Sequence, residues 1–182
     1  MKLTASQKAK ANTSLNQIPA LIKKHASDLG SVNLDWGGGK YNKTTDYLAE
    51  RGVTNLVYDP YNRDIDHNRE IILQAYSTAI NTITCANVLN VLKSKAARTK
   101  LLKEIYGVVK YQYSKQYRWV TVYFSMYEKN GNGIPDENLP QTNMKTEDYR
   151  AEIAKVFGFT FATEIEMVGK VLRVRSRDIF VK

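Results

Sequence analysis

The stretch VNLDWGGGKYNKTTDYLAERGVTNLVYDPYNR, residues 32–63, constrains the fold more than any other part of the chain. An apolar run stops at an acid and three glycines, a polar stretch with helical spacing follows, and a second apolar run stops at another acid and a proline. Two strands joined through a helix need a crossover connection, which makes them parallel members of one sheet. The alternation continues, with strands expected over 32–36, 55–58, 80–86 and 118–125 and helices over 43–51, 68–78 and 94–110. This pattern predicts an α/β fold: a three-layer, doubly wound, mostly parallel sheet with helices on both faces.

The flanking segments complete that picture. Ile18, Leu21, Ile22 and Leu29 space out a short amphipathic helix before Gly30, so residues 1–30 read as a helical cover. Residues 127–143, YEKNGNGIPDENLPQTN, carry glycine, proline and asparagine without an apolar period, and 126–145 read as a surface loop of a length that is often functional. The alternating ligands and final Glu of a calcium loop are missing, and no metal site is expected. A helix follows over 146–157, and FTFATEIEMVGKVLRVRSRDIFV reads as an antiparallel C-terminal hairpin turning near Gly169. With 182 residues and 43% hydrophobic content, one core and a single domain over 1–182 are expected.

The net charge of +9 makes a polyanionic partner plausible, although it also suits plain solubility. Cys85 is the sole cysteine, which excludes an intrachain disulfide and suits a reducing compartment. No apolar segment reaches the roughly 20 residues that span a bilayer. The opening residues lack the apolar centre of a signal peptide, so a cytoplasmic location is expected and the sequons at Asn12 and Asn42 carry no meaning.

Gly37, Gly38 and Gly39 fall at the first strand-to-helix turn, where backbone must come close to a ligand and leave helix N-terminal amides open to an anion. Asp59 ends the second strand, 22 residues after Gly37, where a carboxylate can accept from ribose hydroxyls. Asn42 replaces the third glycine of a dinucleotide fingerprint, and Lys40 is followed by Tyr41, which excludes a phosphate loop. Asp35, two residues before the first glycine, would repel a phosphate and attract an ammonium. S-adenosylmethionine joins an ammonium and a carboxylate to a ribose. The same residues also suit an ordinary strand-to-helix turn.

LDWGGG and VYDP resemble the first and second motifs of class I S-adenosylmethionine-dependent methyltransferases, a likeness that covers about residues 30–125. VYDPYNR, TCANVLNVL and QTNMKTEDYRAEI are similar to small methyltransferase-like proteins of phages and prophages and to methyltransferases associated with DNA phosphorothioation. The resemblance implies a Rossmann-like methyltransferase sheet. It also implies that Asp35 and Gly37, Gly38 and Gly39 hold the methionine end of the cofactor, and that Asp59 holds the ribose beside Pro60 and Tyr61. Asn87 and Val88 would line the pocket, and His67 and Asn68 fall where an adenine contact is expected. Asn33 departs from the pattern at a strand position that is normally apolar. ANVLN stands where base-amino methyltransferases carry Asp/Asn-Pro-Pro-aromatic, and Thr84 precedes Cys85 where a carbon methyltransferase needs Pro-Cys.

Methyl transfer is an in-line displacement that alignment alone can accelerate strongly. Where a base is needed on the acceptor side, which the 126–145 loop would shape, Asn90, Tyr127, Glu128, Asn143 and Lys145 are the candidates, each equally suited to capping or loop bonding. Nucleic acid, DNA or RNA, could meet two basic features. One is KYQYSKQYRW, with Lys110, Lys115 and Arg118 among aromatics; the other is Arg173, Arg175 and Arg177, expected on one face of the last strand. A helix end and a charge-guarded edge strand explain them as well. The expectation is an S-adenosylmethionine-dependent methyltransferase of phage or mobile-element type, in the bacterial cytoplasm, with a nucleic acid acceptor. The alternatives are a cofactor-consuming enzyme, or a non-catalytic binding protein of the same fold that acts against host defence.

Overall fold

The protein is described from a computed structural model that covers residues 16–116, 118–128 and 144–181. Its six strands are β1 (Val32–Trp36), β2 (Thr54–Tyr58), β3 (Thr82–Ala86), β4 (Thr121–Ser125), β5 (Glu166–Met167) and β6 (Leu172–Arg175). They form one mixed sheet in the order β2-β1-β3-β4-β6-β5. The first four are parallel, while β6 runs antiparallel to both β4 and β5. The helices are α1 (Ala20–His25), α2 (Lys43–Ala49), α3 (Ile65–Ser77), α4 (Lys95–Gln116), α5 (Arg150–Phe157) and α6 (Ser176–Phe180). This is the α/β layout the alternation predicted, with the C-terminal pair turning at Gly169, whose φ is +63°.

Period-two alternation splits the sheet into two different faces. Leu34, Trp36, Leu56, Ile83, Cys85, Val122, Phe124, Leu172 and Val174 join Ile71, Leu102, Ile105, Ile153 and Phe157 in the main core. Leu21, Ile22, Leu29, Leu48, Val53, Tyr123 and Val171 form a second, smaller cluster around α1 and α2.

Between them, the second face carries polar residues at the centre of the sheet. Asn33, fully buried, donates to Asn55 Oδ1 at 2.7 Å and to Thr84 Oγ1 at 2.9 Å, and its own oxygen accepts from Thr82 Oγ1 at 2.9 Å. Asn55 reaches on to Thr45 Oγ1 of α2 at 3.3 Å, and Thr84 donates to Asp35 Oδ1 at 3.0 Å. The irregular Asn33 is therefore the centre of a satisfied hydrogen-bond network, the condition under which buried amides are tolerated.

Several boundaries differ from the spacing-based expectation for identifiable reasons. The third helix begins at Ile65 rather than 68 because Asp64 caps it, accepting from the His67 amide at 2.7 Å. α4 runs on to Gln116 rather than 110. It is held there by buried Gln112, whose amide donates to the carbonyls of Ala75 at 2.8 Å and Thr78 at 2.9 Å while its oxygen accepts from Ile80 N. The last strand stops at Arg175, and Ser176 turns the chain into α6. Among the described residues, no helix is long and apolar enough to cross a membrane.

Candidate functional site

β1 lies between β2 and β3, so the chain leaves β1 to one side and returns past it to the other. The crevice beyond the carboxyl ends of such strands is where open α/β sheets bind ligands. Three strand ends converge here. β1 leads into Gly37–Gly39, β2 into Asp59–Tyr61, and β3 into Asn87 and Val88.

The glycine turn is set by contacts that leave no room for side chains. Gly37 and Gly39 have φ of +82° and +80°, and Gly37 N donates to Tyr58 O at 2.7 Å. A Cβ on Gly37 would lie 2.4 Å from Val88 Cγ2, and one on Gly38 would lie 2.5 Å from Asp35 Oδ2. Val88 and Asp35 thus close on the turn from β3 and β1. Asn87 is the one non-glycine residue with positive φ among those described, at +61°, and its amide donates to Ser125 O at 2.8 Å. Asparagine tolerates that left-handed geometry better than most residues.

Asp59 joins the turns of β1 and β2. Its Oδ2 accepts from Gly39 N at 2.9 Å and from Asn62 Nδ2 at 2.9 Å, and its Oδ1 accepts from the amides of Tyr61 and Asn62, each at 3.0 Å. Four bonds use the full acceptor capacity of a carboxylate. Three of those donors are backbone; only the Asn62 side chain can leave without moving the chain. Pro60 and Tyr61 stand exposed beside it.

Asp35 is different. Burial pushes its carboxyl up to about 6, and the bonds from Thr84 and Asn55 offset this only in part; the nearby negative charge of Asp59 pushes the same way as burial. Among the described residues Asp35 has no ion-pair partner, and a buried acid so placed at a strand end is a costly arrangement, of the kind found at functional sites.

Sequence reasoning missed Arg63, and did not foresee the bonds by which His67 and Asn68 help lock this site. Arg63 Nε donates to Gly39 O at 2.9 Å and Nη2 to Asn42 Oδ1 at 2.8 Å, tying the two turns together. Asn68 is buried; its oxygen accepts from Asp59 N at 2.8 Å and its amide donates to the carbonyls of Asp59, Arg63 and Asp64. His67 bonds Val57 O through Nε2 at 2.9 Å. Expected as adenine contacts, His67 and Asn68 are placed at the start of α3 and engaged with β2 and its turn. The only sequence trace of Arg63 is its position shortly after Asp59.

Of the acceptor-side candidates, Asn90 follows β3, while Tyr127, Glu128 and Lys145 lie where the chain leaves β4 and enters the turn before α5. Asn90 is fully buried in the turn after β3. Tyr127 is 57% exposed, and Lys145 precedes a short 3-10 turn, its amide donating to Asp148 Oδ2 at 2.9 Å. Glu128 ties both sides of the loop: Oε1 accepts from Thr146 N at 2.7 Å and Oε2 pairs with Lys170 at 2.9 Å. Burial alone would raise Glu128, but the Thr146 amide and Lys170 outweigh it and hold the carboxyl below its ordinary range, which makes it a weak base. Asn143 and most of the 126–145 loop lie outside the described residues, as do residues 1–15 with Asn12.

An open groove of about 690 Å³ follows the first turns of α4, lined by Lys95, Ala96, Thr99, Lys100, Lys103 and Glu104. It lies toward the β2 end of the crevice, since Glu104, after burial, is the main cause raising the Tyr58 phenol. Among the described residues, no group of three or more His, Cys, Asp or Glu is placed to hold a metal ion.

The basic features separate. Arg173 and Arg175 share a face of β6, but both are paired with Glu166, at 3.0 Å from Arg173 Nε and 2.8 Å from Arg175 Nη2. Arg177, expected on the same strand, stands in α6. Lys110 and Lys115 are exposed on α4 and Arg118 just beyond it, all toward the opposite end of the molecule from the glycine turn. No protein-family model matches the chain, and no curated protein matches it.

Proposed function

We propose that the protein binds S-adenosylmethionine at the ends of β1, β2 and β3 and transfers its methyl group to a nucleic acid, on a three-layer, doubly wound sheet of the methyltransferase kind. One observation carries the reading: at the switch point, an acid-bearing glycine turn from β1 is bonded directly to an acid-bearing turn from β2, Gly39 to Asp59. A ligand with an ammonium at one end and a ribose at the other suits that pair of carboxylates.

The donor set fits with one exchange. Asp35, once ionised, would attract the ammonium, and open amides of the glycine turn would take the carboxylate. Asp59 would release the Asn62 side chain and accept a ribose hydroxyl in its place, its three backbone bonds keeping the turn fixed. Bound there, the cofactor would supply an electrophilic methyl group for an in-line displacement by an acceptor lone pair. The chain's part is alignment and exclusion of water, with no obligatory base. The lysines of the α4 groove offer an anionic acceptor an approach from the same end.

A second reading has its own support. Asp59 is fully engaged internally and Val88 closes on Gly37, as in a protein that retains the fold without transferring methyl groups. Incubation with methyl-labelled S-adenosylmethionine and single-stranded or duplex DNA or RNA separates these readings. Label in the polymer with S-adenosylhomocysteine released supports transfer. Cofactor breakdown without any acceptor supports the cofactor-consuming enzyme, and intact cofactor under all conditions supports the non-catalytic protein.

A further inference from the structure

At the opposite end of the sheet, four aromatic side chains from three segments form a continuous row, three of them stacked and Trp119 tilted against the last. Phe180 of α6 lies parallel to Tyr113 of α4, with centroids 4.3 Å apart and planes at 5°. Tyr106, two turns earlier on α4, lies 6.4 Å from Phe180 at 20°, and Trp119 lies 5.1 Å from Tyr113 at 33°. The segments meet because α6 is fastened to the entry of β4: Ser176 N donates to Val120 O at 2.9 Å and Val120 N to Ser176 Oγ at 2.8 Å. The stack ends in Trp119, which remains 48% exposed. A large aromatic so open at the end of an ordered stack contributes little to the core.

Cations surround the stack. Lys110 stands between Tyr106 and Tyr113 on one stripe of α4, Arg118 adjoins Trp119, and Arg177 precedes Phe180 by three residues on α6. None of the three is ion-paired with another described residue, in contrast to Arg173 and Arg175. Residues 105–127 contain no Asp or Glu; the nearest acid by sequence on α6 is Asp178.

We infer that the Tyr106–Phe180–Tyr113–Trp119 stack, with Lys110, Arg118 and Arg177, is a binding surface for single-stranded nucleic acid. An unpaired base extends the stack over Trp119, and the cations neutralise its flanking phosphates. Duplex is disfavoured because its bases are already stacked on one another. The surface lies at the far end of α4, a helix of 22 residues or roughly 33 Å, so it anchors a strand without presenting that base to the glycine turn. The inference does not rest on the cofactor reading, and its test contains no cofactor.

The test is fluorescence anisotropy of labelled dT20, rU20 and a 20-base-pair duplex at 50 and 200 mM KCl (about 20 nucleotides covers one or more single-strand sites). Wild type is compared with Trp119→Ala, Trp119→Phe, Arg118→Ala and, as a charge control on α5, Lys155→Ala, with folding of each checked by circular dichroism. The expected result is binding of a single strand at least about tenfold tighter than duplex, weakened about 5- to 100-fold by Trp119→Ala and less by Trp119→Phe. Arg118→Ala should reduce the salt slope by about 0.7, and Lys155→Ala should leave both affinity and slope near wild type. The dT20 and rU20 arms decide between DNA and RNA. Duplex bound as well as single strand, Trp119→Ala no weaker than Lys155→Ala, or no binding at 50 mM salt would overturn the inference.

Discussion

Asp35 carries the sharpest prediction at the level of single residues. Its folded value of about 6 lies above the ordinary 3.8, so the folded state holds the proton more tightly than the unfolded chain. Stability from that proton is complete below pH 3.8 and is lost as pH rises to about 6; above that, the buried carboxylate costs about 3 kcal/mol. Asp35→Asn, which retains an acceptor for Thr84, is therefore expected to stabilise the protein by about 2 kcal/mol at pH 7.5 and to make little difference at pH 4. Urea unfolding at the two pH values checks this, and a destabilised variant at pH 7.5 would contradict it. Gly37→Ala meets both a positive φ and Val88, and should cost about 2–4 kcal/mol; in a Val88→Ala background only the backbone part, about 1–2 kcal/mol, should remain. Both acids and all three glycines were legible in the sequence because each residue type has a narrow use at a strand end. Arg63 and Thr84 were not, and Asn68 was singled out for a different contact, since arginine, asparagine and threonine serve many roles and nothing in one chain says which group each will meet.

Among elements, α4 joins the two ends of the molecule and is itself clamped by Arg98. That guanidinium donates to Glu152 of α5 at 2.8 and 2.7 Å and to the carbonyls of Leu92 and Lys93 at 2.8 and 3.1 Å, fixing the segment after β3. Removing one partner of a buried pair strands the other, so Arg98→Ala should cost about 3–5 kcal/mol, whereas the double replacement Arg98→Met with Glu152→Leu should recover most of that loss. Equilibrium unfolding of both variants tests the clamp; equal losses would show that the packing of α4, and not the ion pair, carries the stability. The order of elements was readable because alternating apolar runs dictate strand–helix–strand units. The helix ends shifted where a side chain settled them: Asp64 starts α3 early, and Gln112 carries α4 on toward Gln116. The placement of β6 between β4 and β5 has no periodic signature, and Arg177 left its strand because Ser176 pairs with Val120 and begins α6.

At the scale of the whole molecule, the acids and glycines gather at one end of the sheet, and the open aromatic stack with Lys110, Arg118 and Arg177 beside it lies at the other. Net positive charge alone does not separate these regions; the ion pairs with Glu166 do, by removing Arg173 and Arg175 from the basic surface. The sequence resemblance lies at the first end, which we propose binds S-adenosylmethionine through its ammonium and its ribose. The most direct test is calorimetric titration with S-adenosylhomocysteine at pH 7.5 and pH 5, using 5′-methylthioadenosine, which lacks the ammonium, as the reference ligand. With Asp35 near 6, about a tenth of the molecules are ionised at pH 5, so S-adenosylhomocysteine should bind about tenfold more weakly there, while the reference ligand shows no such change. Binding of both ligands with the same pH dependence would remove Asp35 from the ammonium site, and no heat from either at millimolar concentration would contradict the account.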